Sequence, residues 1–280
     1  MKKISISLCL LAVAVFALSS CKEDKVKDVT LTVNLEQTSA TKAHLNANYT
    51  PVIVTGDSAY VNDGVFAFDF ENGNPILRVN HAADNRYRAI FPANIVDVNA
   101  NPDIANTNNV TVNIPFIQTY DKEGNDQKVD MPMISYPEGY ALWFRNICSL
   151  VKVNVTNVSG RTITLGAIQV SNNTQGQSGQ SSVYLAGNTR VNVASSYPEV
   201  TVAEDQYRFV QLNFNGHQDA VLADGATGSY YLIIAPFSGA TDGINVRLIS
   251  SNYNFNDISF PNATSLPRNT VAVVNVNANL

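Results

Sequence analysis

The sequence predicts an all-β chain built as two β-sandwich units in tandem, and three observations carry that prediction. Apolar and polar residues alternate over many short runs, the period of a half-buried strand. Clusters of Asn, Asp, Gly, Ser and Pro separate the runs, and no long stretch keeps a helical period. The 280 residues are 45% hydrophobic and only 15% charged, a globular composition with length for one large domain or two ordinary ones.

In chain order, Lys2 and Lys3 come first, followed by the apolar run "ISISLCLLAVAVFAL" (Ile4 to Leu18) and then Ser19 and Ser20. The run is short of the about 20 apolar residues that span a bilayer. A basic start, an apolar middle and small residues make a secretory leader, assigned to residues 1–20. Residues 21–27, "CKEDKVK", read as a charged tether. Without the two leader lysines the net charge moves from −5 to −7, which leaves no basic footprint for nucleic acid or anionic lipid.

The first strand is "VTLTVNL", with Val29, Leu31, Val33 and Leu35 on one face. In "AYVNDGVFAFDF", Phe66, Phe68 and Phe70 oppose Val65, Ala67 and Asp69. Strand patterning returns in "LVKVNVTNV", "RTITLGAIQV", "YRFVQLNF", "YYLIIAPF" and "INVRLIS", with turn formers such as "ENGNP", "DKEGND" and "DGATGS" between runs. The unit boundary is placed after "DMPMISYPEGYA", where two prolines should interrupt pairing. That gives an N-terminal sandwich over 28–142 and a C-terminal one over 143–280. The last run puts Ala272, Val274, Val276, Ala278 and Leu280 on one face. It is either the final core strand or a strand offered to a neighbour.

Candidates for chemistry are weak. His44, His81 and His217 have no ligand spacing, and "DKEGND" lacks the closing glutamate of a calcium loop and reads as a solvated turn. No nucleophile-elbow or Cys-His signature occurs. Cys148 lies in an apolar run and reads as a buried small hydrophobe. Trp143 is expected to pack between sandwiches, with sugar stacking the alternative. The expectation is a protein without enzymatic activity, metal or cofactor.

Leu18-Ser19-Ser20-Cys21 resembles the bacterial lipobox. That resemblance implies cleavage between Ser20 and Cys21 and lipidation of Cys21, with two or more acyl chains giving the stable anchoring that one chain does not. Several further pieces, in order, resemble the fimbrillins of Bacteroidetes, the FimA/Mfa-like pilus proteins: "TSATKAHL", "YRAIFPA", "VDMPMISYP", "LWFRNICSLVKVNVTN", "LGAIQVS" with "VYLAGNTRVN", "YYLIIAPF" and "LPRNTVAVVNVNA". The resemblance implies two transthyretin-like Greek-key β-sandwich domains in tandem and a pilus or adhesin subunit. It implies export as an outer-membrane lipoprotein exposed at the cell surface, or a place in a fimbrium after processing, with other fimbrial subunits as partners by strand addition. Host or bacterial surface ligands are further expected partners. Processing in that family follows an arginine. No arginine occurs between Cys21 and Arg78, and Lys42 stands in the matching stretch. So either a protease cuts near Lys42 or the chain keeps its anchor. "DSA" (Asp57 to Ala59) resembles a short O-glycosylation motif of Bacteroidetes exported proteins and makes Ser58 the candidate acceptor. The alternative function is a glycan-binding surface lipoprotein of a polysaccharide-uptake system.

Overall fold

The computed structural model describes residues 28–36, 53–82, 84–101, 103–123, 126–172, 183–194, 197–203, 206–240 and 243–280. Among them the fold is all-β, with two short 3-10 turns, Ala93–Ile95 and Gln218–Ala220, as its helical elements. The strands of the first half are β1 (Asp28–Leu35), β2 (Ser58–Val61), β3 (Gly64–Glu71), β4 (Asn74–Asn80), β5 (Ala89–Phe91), β6 (Asn109–Ile114), β7 (Ile117–Thr119), β8 (Lys122–Glu123), β9 (Asp126–Gln127), β10 (Met133–Glu138) and β11 (Ala141–Asn146). The second half adds β12 (Ser149–Asn157), β13 (Ile163–Asn172), β14 (Gly187–Asn192), β15 (Glu199–Val202), β16 (Phe209–Asn213), β17 (Val221–Leu222), β18 (Thr227–Ile234), β19 (Phe237–Ser238), β20 (Ile244–Ser250), β21 (Phe255–Phe260), β22 (Ser265–Leu266) and β23 (Val271–Ala278).

Local chemistry explains the hairpins. β3 and β4 meet at Glu71↔Asn74, which leaves Asn72-Gly73 as a two-residue loop with φ of 52° and 79°. Positive φ at both central residues is the twist-matched hairpin turn that Asn-Gly favours. On β3, Phe68 is buried and Phe66 and Phe70 half-buried, while Val65, Ala67 and Asp69 are exposed, as the alternation predicts. In "DKEGND", β8 pairs antiparallel with β9, Lys122 opposite Gln127 and Glu123 opposite Asp126.

The strands of the first unit close into a ring, where the sequence predicts a sandwich. Seven strands close in the order β1-β11-β10-β5-β2-β3-β4, with β1 returning to β4. Its core holds Leu31, Phe68, Leu77, Phe91, Leu142 and Phe144, and Phe68 meets Phe91 edge-on at 5.9 Å. β1 is what makes the closure: without it β4 and β11 would be edges.

The second core is larger and takes in residues from both halves of the chain, including Ile104, Val110, Val112, Ile114 and Met131. β6 pairs with β14, and β7 runs parallel to β16. The expected seam between Leu142 and Trp143 falls inside β11, which pairs with β10 through Asn146. Nor does Pro137 break the strand. It pairs opposite Leu142 and lies beyond the last β10 residue paired with β5, an end position that tolerates a missing N–H.

β23 is a core strand in this structure. It lies parallel to β12 from Val271 to Ala278, with Val274, Val276 and Ala278 buried.

Candidate assembly site

The place occupied by β1 is the candidate site. Its first half, Asp28–Thr32, pairs antiparallel with β4, and its second half, Thr32–Leu35, pairs parallel with β11. The two ladders overlap only at Thr32. Beyond them, Thr32 N–H donates to Tyr140 O at 2.9 Å and Glu36 N–H donates to Phe144 O at 2.8 Å. Leu31 is fully buried in the ring core, whereas Val29, Val33 and Leu35 are half-buried. The strand thus supplies one deep anchor and three shallow ones, on backbone ladders that are each half length. Chemically this is an extended slot: two strand edges offering N–H and C=O groups, with pockets for alternate side chains.

A second edge of the molecule is closed by a different device. β18 lies at the margin of the sheet β18-β12-β23. Gln127 Nε2 donates to Tyr231 O and accepts from Tyr231 N–H at Oε1, both at 2.9 Å. Gln118 does the same for Ile233, at 2.6 and 2.9 Å. Tyr231 and Ile233 are two apart, so their backbone groups face one side of the strand. Two side-chain amides therefore stand in for a neighbouring strand and leave that edge capped.

The loop His217–Ala220 is tied to the β7 to β8 region by Asp219. Its carboxylate accepts from Tyr120 OH at 2.8 Å and pairs with Lys122 Nζ at 2.8 Å. The Lys122 contact foremost, and the Tyr120 hydroxyl with it, hold the Asp219 carboxyl below its ordinary range. Burial, with the Asp219 bond second, pushes the Tyr120 phenol up. His217 Nδ1 accepts from Asp219 N–H at 3.2 Å, which makes it the cap of a short turn. Burial likewise pushes the Cys148 thiol up, as suits a packed small hydrophobe.

Of the residues singled out in the sequence, Ser20, Cys21, Lys42 and His44 lie outside the described residues, as do the leader and the tether. Ser58 is half-buried at the start of β2, opposite Ala67. Trp143 does not pack between units. Leu142 and Phe144 face the ring core, so alternation turns Trp143 outward, where it is 41% exposed. His81 is exposed and lines a cleft of about 480 Å³ with Asp63, Asp84, Asp103, Phe66 and Tyr87. Among the described residues no three His, Cys, Asp or Glu side chains are placed to hold a metal ion, and no helix is long and apolar enough to cross a membrane. The residues that sequence reasoning passed over are Gln118 and Gln127, and the group around Glu36. All act across chain separations that no local pattern marks.

The fold and this slot define an all-β chain of several sheets whose first strand is held by two half-length ladders. No family model matches the chain, and no curated protein matches it. Solved structures do. It is similar to a protein assigned provisionally to cell adhesion from Bacteroides ovatus, at 11% identity and a TM-score of 0.52, over 90% of this chain and 92% of that one. A protein of the same provisional assignment from Bacteroides uniformis is 13% identical, with a TM-score of 0.47 over 89% and 94%. The tip fimbrial protein Mfa3 of Porphyromonas gingivalis, truncated at its C-terminus, is 10% identical, with a TM-score of 0.35 over 90% and 95%. The first likeness establishes a shared fold along nearly the whole of both chains.

Proposed function

We propose that this chain is a fimbrillin-like subunit of a surface fimbria or adhesin, and that it works by β-strand addition without catalysis. In this reading it reaches the outer membrane as a lipoprotein anchored through Cys21. The observation that carries the reading is the state of β1: it completes the ring, yet it is shallowly buried and only half laddered on each side. A neighbouring subunit's strand entering the same slot would restore every backbone bond that β1 now makes. The fold shared with an adhesion-assigned protein supports the same role and a place at the cell surface among other fimbrial subunits. Whether β1 leaves depends on cleavage near Lys42. The N-terminal residue of the protein taken from cells tests this. A start beyond Lys42 in assembled material supports exchange, and acylated Cys21 in a chain built into fibres would overturn it.

The cleft near His81 favours a second reading, a glycan-binding surface lipoprotein. Carboxylates beside Phe66 and Tyr87 offer the polar groups and aromatic faces that sugar sites combine. Glycan arrays decide it: retention of a sugar that is lost in Asp103→Ala supports this reading, and retention of none removes it.

A further inference from the structure

The carboxylate of Glu36, the residue that follows β1, is enclosed at the junction of the two cores. It is 9% exposed, with Arg145 and Arg268 beside it. Arg268 Nη1 reaches Oε2 at 3.1 Å and Arg145 Nη1 reaches Oε1 at 3.5 Å. The backbone N–H of Asn146 donates to Oε2 at 3.0 Å. Both guanidinium groups lie over the ring of Tyr197, at 5.4 and 5.5 Å from its centre. Arg268 also donates to Asn146 O at 3.0 Å, and Asn146 Nδ2 donates to Asn269 Oδ1 at 2.6 Å. The receiving parts come from three places: the end of β11, the turn before β23, and the segment before β15.

Two features make this more than an incidental ion pair. The receiving groups hold one another without Glu36: Tyr197 orders both cations, and Asn146 and Asn269 fix the backbone between them. The charge is also unbalanced. Two half-buried cations face one carboxylate, and Arg145 Nε is buried without a hydrogen-bond partner among the described residues. Removing Glu36 would leave two cations close together with no other ion-pair partner among the described residues, a state that favours capture of another carboxylate.

We infer that Arg145, Arg268 and Tyr197 form a carboxylate-binding site that recognises the acidic end of whichever strand fills the β1 slot. Glu36 fills it in the free chain. In an assembly, an Asp or Glu of the incoming subunit's strand fills it in the position that follows Leu35. The inference rests on the strand-addition reading for its partner. The site fixes register: a slip by one residue moves the acid away from the arginines and turns the strand's apolar face outward.

The test uses the chain from Lys22 to Leu280 carrying Glu36→Gln, folded intact and then cut at a specific protease site placed after Lys42, which frees β1 to exchange, weakens the internal occupant and leaves the receiving groups intact. Two fluorescent peptides are offered, the sequence Asp28 to Glu36 and the same sequence with Gln in the last position. The inference expects the acidic peptide to bind at least tenfold more tightly, and adding Arg268→Gln to remove that preference while keeping uptake. Equal uptake of both peptides overturns the inference and leaves strand addition standing. Uptake of neither overturns strand addition and with it recognition of a partner strand. Hydrogen exchange at Asn34 and Leu35 then judges the internal role by itself. Glu36→Gln and Arg268→Gln should each speed exchange, and the pair together should do no more than either. Additive acceleration overturns it.

Discussion

β1 and β12 each lie between one parallel and one antiparallel neighbour and are held very differently. Each lies parallel to the last strand of its unit, β11 for β1 and β23 for β12, and antiparallel to another, β4 and β18. The ladders of β12 run the full strand on both sides, Ser149–Thr156 against β18 and Leu150–Asn157 against β23. Those of β1 divide the strand between them and overlap only at Thr32. Leu150, Val151, Val153 and Val155 are all fully buried on β12, while β1 buries only Leu31. One topology thus serves two purposes. The strand laddered along both sides is integral to its core, and the strand laddered by halves is the one that the proposed strand addition would replace.

The largest effect that sharpens this contrast is in the cores. Leu150→Ala should cost about 2–5 kcal/mol, the range for a buried leucine whose surroundings cannot collapse. Leu31→Ala should cost about 2 kcal/mol, because its half-buried neighbours can close the space. Urea unfolding reads both. A loss at Leu31 equal to that at Leu150 would make β1 as integral as β12.

The capped edge comes next. Gln118→Ala with Gln127→Ala leaves the N–H and C=O groups of Tyr231 and Ile233 without their side-chain partners. The expected loss is about 1–3 kcal/mol for groups so exposed within the fold, together with self-association in sedimentation velocity as the edge seeks another strand. A variant of unchanged stability that stays monomeric would show that the glutamines do not guard this edge.

The smallest effect is at Asp219. Its folded-state pKa is depressed by Lys122 and Tyr120, so its contribution is fully present above its unfolded value of about 3.9. The contribution fades as the pH falls from there through the folded value. Asp219→Asn should remove that acid-side slope and leave stability near neutral pH only modestly lower. An unchanged slope would mean that the carboxylate titrates alike in both states.

Much of this was legible in the sequence because it is local. Alternation marked β1, β3, β12, β13, β16, β18, β20 and β23, and "ENGNP" marked the turn that joins β3 to β4, since period and turn chemistry act within a few residues. What could not be read is pairing at a distance. Nothing near "VTLTVNL" says that it closes a ring, and nothing near "VTVNI" (Val110 to Ile114) says that it pairs with β14. Pro137 and Trp143 misled for the same reason: a proline's cost and a tryptophan's burial depend on which side of the strand a neighbour covers. The slot was foreseeable only through the fimbrillin resemblance. The pocket around Glu36, drawn from positions 36, 145, 197 and 268, carries no sequence signature at all.

Native-state hydrogen exchange on the chain from Lys22 to Leu280 tests the central claim most directly, because it reads the opening of β1 and β12 in one experiment. Amides of β1 should exchange through a partial opening well below the free energy of global unfolding, and those of β12 only on global unfolding. The same opening free energy in both strands would contradict the account, since a strand that leaves only when everything unfolds cannot be exchanged for a neighbour's.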